Sequence, residues 1–190
     1  QIARTMKPTA VPRTPIFLIG YMGTGKSTLG RAVARLGDIR FIDLDHYIEG
    51  RFHRSVSQLF EERGEDGFRK VEQAMLHEVG EFEDVIIACG GGTPCFFDNM
   101  DYMNSRGLTI LLEAPLPCLC RRLWEGRRKR PLIKGMQPQE LAQFITSNME
   151  ARMPFYSKAK LTFPSGELET PQQINTNALK FIQLTGIPPA

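Results

Sequence analysis

Eight residues constrain this chain more than any other feature. Gly20-Tyr-Met-Gly-Thr-Gly25-Lys26-Ser27 fits G-x-x-x-x-G-K-[ST] in full. The stretch follows a short apolar run, Ile16–Ile19. It opens a segment of helical spacing, Lys26–Leu36, that stops at Gly37. Strand, loop and helix in that order are the context the pattern requires. Glycines let successive backbone N–H groups converge on a phosphate, and the helix N-terminus adds partial positive charge. Gly23, Thr24, Gly25, Lys26, Ser27 and Thr28 are therefore expected to hold a nucleoside triphosphate. Lys26 should reach the β- and γ-phosphates, and the Ser27 hydroxyl should serve Mg²⁺. A dinucleotide fold would need G-x-G-x-x-G, and Gly23-x-Gly25 is followed instead by Thr28.

The rest of the chain alternates in the same way. Short apolar runs at Phe41–Leu44, Val85–Ala88, Leu108–Leu112 and Leu161–Phe163 read as further strands. Between them lie helical patterns: a polar stretch from about Asp45 to Gly80, one capped by Asp98 and ending at Gly107, one starting near Pro117, and Pro138–Met153. Thr170-Pro171 opens a last helix that ends near Leu184. Five strands alternating with helices predict an α/β fold in three layers, a parallel sheet flanked by helices. The 190 residues, 42% hydrophobic and 24% charged, suit one globular domain, taken as 16–190 with residues 1–15 as a loose leader. That composition excludes a disordered chain and a disulfide scaffold. The four cysteines show no metal-ligand spacing and read as reduced thiols in a cytoplasmic protein. No apolar run is long enough for a membrane span.

A switch GTPase would carry N-K-x-D, which is absent. A small-molecule kinase is the leading class at this size, so an acceptor site is sought. Asp43-Leu-Asp45 follows the second strand, and alternation along an extended segment would put both carboxylates on one side. One carboxylate could serve Mg²⁺ and the other accept a proton from an alcohol; a helix cap at Asp45 with a solvated Asp43 is the plainer reading of an isolated D-x-D. Gly90-Gly91-Gly92 follows the third strand, where a substrate can lie against bare backbone. Arg69 and Glu72 share a helix face, and their pairing would aim a guanidinium at a carboxylate. Taken alone, that pair reads as an ordinary surface salt bridge. Phe60 and Phe68 suit either the wall of an apolar ring or the core.

Together these residues resemble one family, the shikimate kinases. Gly20–Thr28, Asp43-Leu-Asp45, Phe68-Arg69-x-x-Glu72, the triple glycine, Arg130-Pro131-Leu132 and Arg152-x-x-x-Tyr156 stand in that family's order. The resemblance runs from about Ile16 to Phe163. It implies a P-loop kinase fold with a substrate-binding insertion at about 44–80 and a mobile lid at about 121–136. It implies transfer of the γ-phosphate of ATP to the 3-hydroxyl of shikimate, on the route to chorismate and the aromatic amino acids. By the same resemblance Arg69 and Arg152 hold the substrate carboxylate, and Gly91 and Gly92 line its ring. Asp45 contacts the reacting hydroxyl as base, and Asp43 joins Ser27 at Mg²⁺. Lys26 and the lid's Arg130 neutralise the transferring phosphoryl, and Arg122 stacks on adenine.

Three rivals are weighed against this reading. A gluconate-type or nucleoside monophosphate kinase shares the phosphate loop but would not require the Arg69, triple-glycine and Arg152 set together. A nucleotide-dependent regulatory module would make that set coincidence. A nucleic-acid binder would need aromatics among its basic residues, and only Trp124 qualifies. The formal charge is +3. Residues 121–134 hold seven basic side chains against Glu125, a net of +6, so the other residues carry −3. The basic segment is thus expected to face a triphosphate, in a monomer with no nucleic-acid or membrane partner.

Overall fold

A computed structural model describes residues 13–190; residues 1–12, most of the expected leader, lie outside the described residues. Among the described residues there are five strands, β1 (Ile16–Ile19), β2 (Arg40–Asp43), β3 (Val85–Ala88), β4 (Leu108–Glu113) and β5 (Leu161–Pro164). Seven helices accompany them: α1 (Lys26–Leu36), α2 (Leu44–Phe52), α3 (Val56–Val79), α4 (Asn99–Arg106), α5 (Leu116–Glu125), α6 (Pro138–Tyr156) and α7 (Pro171–Thr185). The strands form one all-parallel sheet in the order β2-β3-β1-β4-β5, which bears out the expected fold class.

The strands β1 and β3 at the middle of the sheet are apolar and buried throughout because both of their faces are covered. Phe17, Ile19, Val85, Ile87 and Leu111 pack with α2 to α6. Their strand neighbours Ile16, Leu18, Ile86, Ile110 and Leu112 pack with α1 and α7. Burying each such side chain is worth roughly 1.5–3 kcal/mol. Both cores therefore clamp the same four-residue strand β1, whose carboxyl end carries the phosphate loop.

Several local features differ from the sequence reading. The long helical pattern after Asp45 is two helices. His53 ends α2 in the left-handed region, and Ser55 and Gln58 form a capping box that starts α3 afresh. Within α3 the backbone leaves helical geometry at Gly64, with φ 68°. Strand β2 ends at Asp43, so the expected alternation of Asp43 and Asp45 along an extended segment is wrong. Asp43 instead caps α2, accepting from the His46 amide at 3.2 Å, and Asp45 lies in the first helical turn. Asp98 precedes α4 without capping it through its side chain. Helix α5 runs to Glu125, so Arg121 and Arg122 are helical, and the irregular part of the expected lid starts at Gly126.

Both described ends are tied to the fold. Arg13 and Asp84 exchange hydrogen bonds, and the Pro15 carbonyl accepts from the Leu108 amide. Residues 13–15, placed in the expected leader, are thus held against the fold. At the other end Ile187 is buried against α1, and Asp38 donates to the Pro188 carbonyl at 2.8 Å.

Candidate active site

The chain leaves β1 toward β2 on one side, and crosses after β3 to β4 on the other. Open α/β sheets bind ligands at such a switch point, outside the carboxyl ends of the strands. A cavity of about 460 Å³ opens there. It is bounded by the phosphate loop, Asp43 and Asp45, the start of the triple glycine, Arg122 and Arg130, and Leu168 and Glu169.

The phosphate end is built from backbone. Gly25 caps α1 in the left-handed region at φ 92°, and a Cβ there would stand 2.5 Å from Leu168 Cδ1. The amides of the first turn of α1 are thus left facing the cavity. Lys26 Nζ donates to the carbonyls of Gly20 at 2.7 Å and Tyr21 at 2.9 Å. Burial pulls its pKa down to about 8, against the opposing charges of Asp45 and Asp43. Burial also lowers that of Arg130, with no carboxylate acting in opposition. Ser27 Oγ donates to Asp43 Oδ2 at 2.8 Å. A hydroxyl and a carboxylate side by side are hard oxygen donors of the kind Mg²⁺ takes alongside phosphate oxygens.

The end around Asp45, α3 and α6 is built from side chains. Asp45 is pushed up to about 6, chiefly by burial and then by the charges of Asp43 and Glu72. Arg69, on α3, donates from Nη1 to Glu72 Oε1 at 2.9 Å. Glu72 is 1% exposed, so this is a desolvated pair and not the surface salt bridge that its spacing alone suggests. The Arg69 guanidinium carbon lies 4.1 Å from the Phe96 ring centroid. Phe60 and Phe68 stack beside it, their centroids 4.4 Å apart, and Phe68 itself belongs to the core. From α6, the Arg152 guanidinium carbon stands 5.2 Å from the Tyr21 ring centroid, and Tyr156 donates to the Gly91 carbonyl.

The glycine segment joins these parts. A Cβ on Gly91 would lie 2.9 Å from Arg152 Nη1, and one on Gly92 would lie 2.8 Å from Arg69 Nη2. Both arginines therefore close on bare backbone at adjacent residues. Arg69, Arg152 and Gly92 lie beyond the cavity lining, while Gly91, Asp43, Asp45 and the phosphate-loop residues from Gly23 to Thr28, apart from the buried Thr24, are part of it.

Arg122 takes a place different from the flap. It donates to the carbonyls of Gly23 at 3.0 Å and Ser165 at 2.8 Å, and pairs with Glu169 at 2.7 Å. It thereby ties the phosphate loop to the loop between β5 and α7. Sequence reasoning missed Ser165, Leu168 and Glu169, although the rule that picked out the loops after β2 and β3 applies equally after β5. It also missed Thr93 and Phe96, which follow the triple glycine in a 3₁₀ turn, Thr93–Cys95, and its C-cap.

Comparisons with known proteins show the family. The profile of the family described as shikimate kinase matches residues 22–183. A shikimate kinase from Phocaeicola vulgatus is 56% identical over 164 residues, covering 86% of this chain and 94% of that protein. The crystal structure of shikimate kinase from Bacteroides thetaiotaomicron superimposes with a TM-score of 0.86 at 48% identity, over 92% of this chain and 99% of the other. Shikimate kinase from Acinetobacter baumannii, solved in complex with shikimate, gives a TM-score of 0.77 at 31% identity over 91% and 93% of the two chains.

Proposed function

The chain belongs to the shikimate kinase family, and on that premise we propose that it transfers the γ-phosphate of ATP to the 3-hydroxyl of shikimate through the residues brought together above. The observation that carries the assignment of roles is the position of Asp45. It borders the phosphate-loop cavity and approaches the glycine segment, its Oδ1 3.6 Å from where a Cβ on Gly90 would sit.

Gly23 to Thr28 hold the triphosphate through backbone amides, with Lys26 exchanging its loop carbonyls for β- and γ-phosphate oxygens. Arg69 and Arg152 hold the carboxylate of shikimate, a task suited to guanidinium forks. Gly91 and Gly92 give the ring a surface without side chains. Asp45 accepts the proton of the attacking hydroxyl. Its raised pKa, near 6, leaves it ionised at neutral pH and more basic than an ordinary aspartate. Ser27 and Asp43 are the residues that would hold Mg²⁺, which when bound supplies positive charge at the β- and γ-phosphate oxygens. Arg130 adds a guanidinium at transfer, a contribution worth ~10³–10⁵ in other phosphoryl enzymes. Arg122 sets the floor of the adenine side. Positioning and charge carry the rate, because the reaction asks for little covalent chemistry from the protein.

The same reading takes the protein as a cytoplasmic monomer without nucleic-acid or membrane partners. No helix among the described residues is long and apolar enough to cross a membrane. ADP release measured with shikimate, gluconate, AMP or no acceptor tests the reading. Turnover is expected with shikimate alone; acceptor-independent turnover, or preference for another acceptor, would overturn it.

A further inference from the structure

Glu72 holds Arg69 with one carboxylate oxygen, and the other oxygen has its own donor. Thr93 Oγ1 donates to Glu72 Oε2 at 2.8 Å, and Thr93 is fully buried. Thr93 sits at the start of the 3₁₀ turn after the triple glycine, so it approaches Glu72 from a different segment than Arg69 does. The turn is itself anchored, since Asn99 Nδ2, at the start of α4, donates to the Thr93 carbonyl at 2.9 Å. Three residues beyond Thr93 the same loop lays Phe96 against the Arg69 guanidinium. Arg69 is therefore gripped from two directions by one loop, through Glu72 on one side and through Phe96 on the other.

A buried carboxylate that loses one of two donors seeks another, and the nearest mobile donor is the guanidinium it already holds. We propose that Thr93 is a positioning residue for acceptor binding: its hydroxyl fixes the Glu72 carboxylate so that Arg69 presents one orientation to the substrate carboxylate. Thr93 does not touch the acceptor; it acts through Glu72. The inference rests on the functional reading above, in that the acceptor whose carboxylate Arg69 receives is shikimate.

Thr93→Val keeps the shape and removes the donor. It is expected to raise the shikimate KM about tenfold while the ATP KM stays within about twofold and kcat falls less than the KM rises. Thr93→Ser restores the donor and should bring the shikimate KM back to within about twofold of wild type. Should the valine variant fail to fold, Thr93→Ala removes the same hydroxyl without adding volume and is expected to give the same split. A shikimate KM unchanged in a folded Val or Ala variant would overturn the inference. So would a serine variant as impaired as valine, since the effect would then be one of packing. Calorimetric titration of wild type with shikimate separates the two layers. Absence of binding there overturns the functional reading and this inference with it, whereas wild-type binding together with an unchanged variant overturns this inference alone.

Discussion

The two ends of the active site are made from different material. The phosphate end is built on one contiguous stretch whose backbone amides, fixed by left-handed glycines and the start of α1, border the cavity together with the Lys26 and Ser27 side chains. The acceptor end is assembled from side chains on α2, α3, α6 and the loop after β3, segments more than a hundred residues apart from first to last. A triphosphate is the same in every kinase and can be met by a fixed backbone nest. An acceptor must be distinguished from similar alcohols, which calls for side chains whose identity can vary and which must then be held in place. The glycines after β3 let two guanidiniums approach and, on the proposed reading, also admit substrate.

This contrast can be broken by substitution. The largest effect is expected at Lys26, the cation proposed to meet the transferring phosphoryl. Lys26→Met should lower kcat by about 10³ with any acceptor, read in the ADP-release assay. Asp45→Asn comes next and should lower kcat by about 10²–10³ while both KM values change little, because the lost proton acceptor acts only as the hydroxyl attacks.

The same substitution should stabilise the fold. The folded pKa of Asp45, about 6, lies above that of an unfolded aspartate, so its ionised form destabilises the protein. That cost is absent below the unfolded value, grows as pH rises, and is complete above about 6. At neutral pH Asn should therefore raise stability by about 2–3 kcal/mol, seen as a higher Tm that converges with wild type toward pH 4. In wild type kcat/KM should rise with pH through about 6 as Asp45 ionises, and fall through about 8 as Lys26 loses its proton. Asp45→Asn should abolish the acidic limb.

Smaller and confined to the acceptor end is Arg69→Ala, which should raise the shikimate KM roughly 10–100-fold and leave the ATP KM within twofold. The smallest effect, and the sharpest contrast, lies between two glycines. Gly92→Ala would push only the tip of the Arg69 side chain, so the fold should tolerate it while the shikimate KM rises about tenfold. At Gly107 a Cβ would collide with the Pro15 carbonyl, which is backbone and cannot yield in the same way. Gly107→Ala should therefore lower Tm sharply without a selective effect on either KM.

How far the sequence discloses each end follows from the same contrast. The phosphate loop is legible because its residues are consecutive and its context is local. The parallel sheet is legible because strands buried on both faces read as unbroken apolar runs, as Ile16–Ile19 and Val85–Ala88 do. Asp43 and Asp45 were legible as a pair but not in their geometry, since the helix cap made by Asp43 ends the strand one residue earlier than the apolar pattern suggests. In the sequence Arg121 and Arg122 read as part of a flap because their charge interrupts the apolar pattern. Yet Cys118, Leu119 and Leu123 still bury one face of α5 and carry both arginines in the helix. Thr93 and Glu169 were not legible, for their partners Glu72 and Arg122 are 21 and 47 residues away, and only the fold brings them together.

The most direct test of the account is the position of the new phosphoester. Phosphorus–proton correlation NMR of the product formed from ATP and shikimate should show phosphorus coupled to the proton on the carbon that bears the 3-hydroxyl. Coupling to a proton on another ring carbon, or the appearance of inorganic phosphate alone, would contradict the placement of acceptor, base and phosphate proposed for this site.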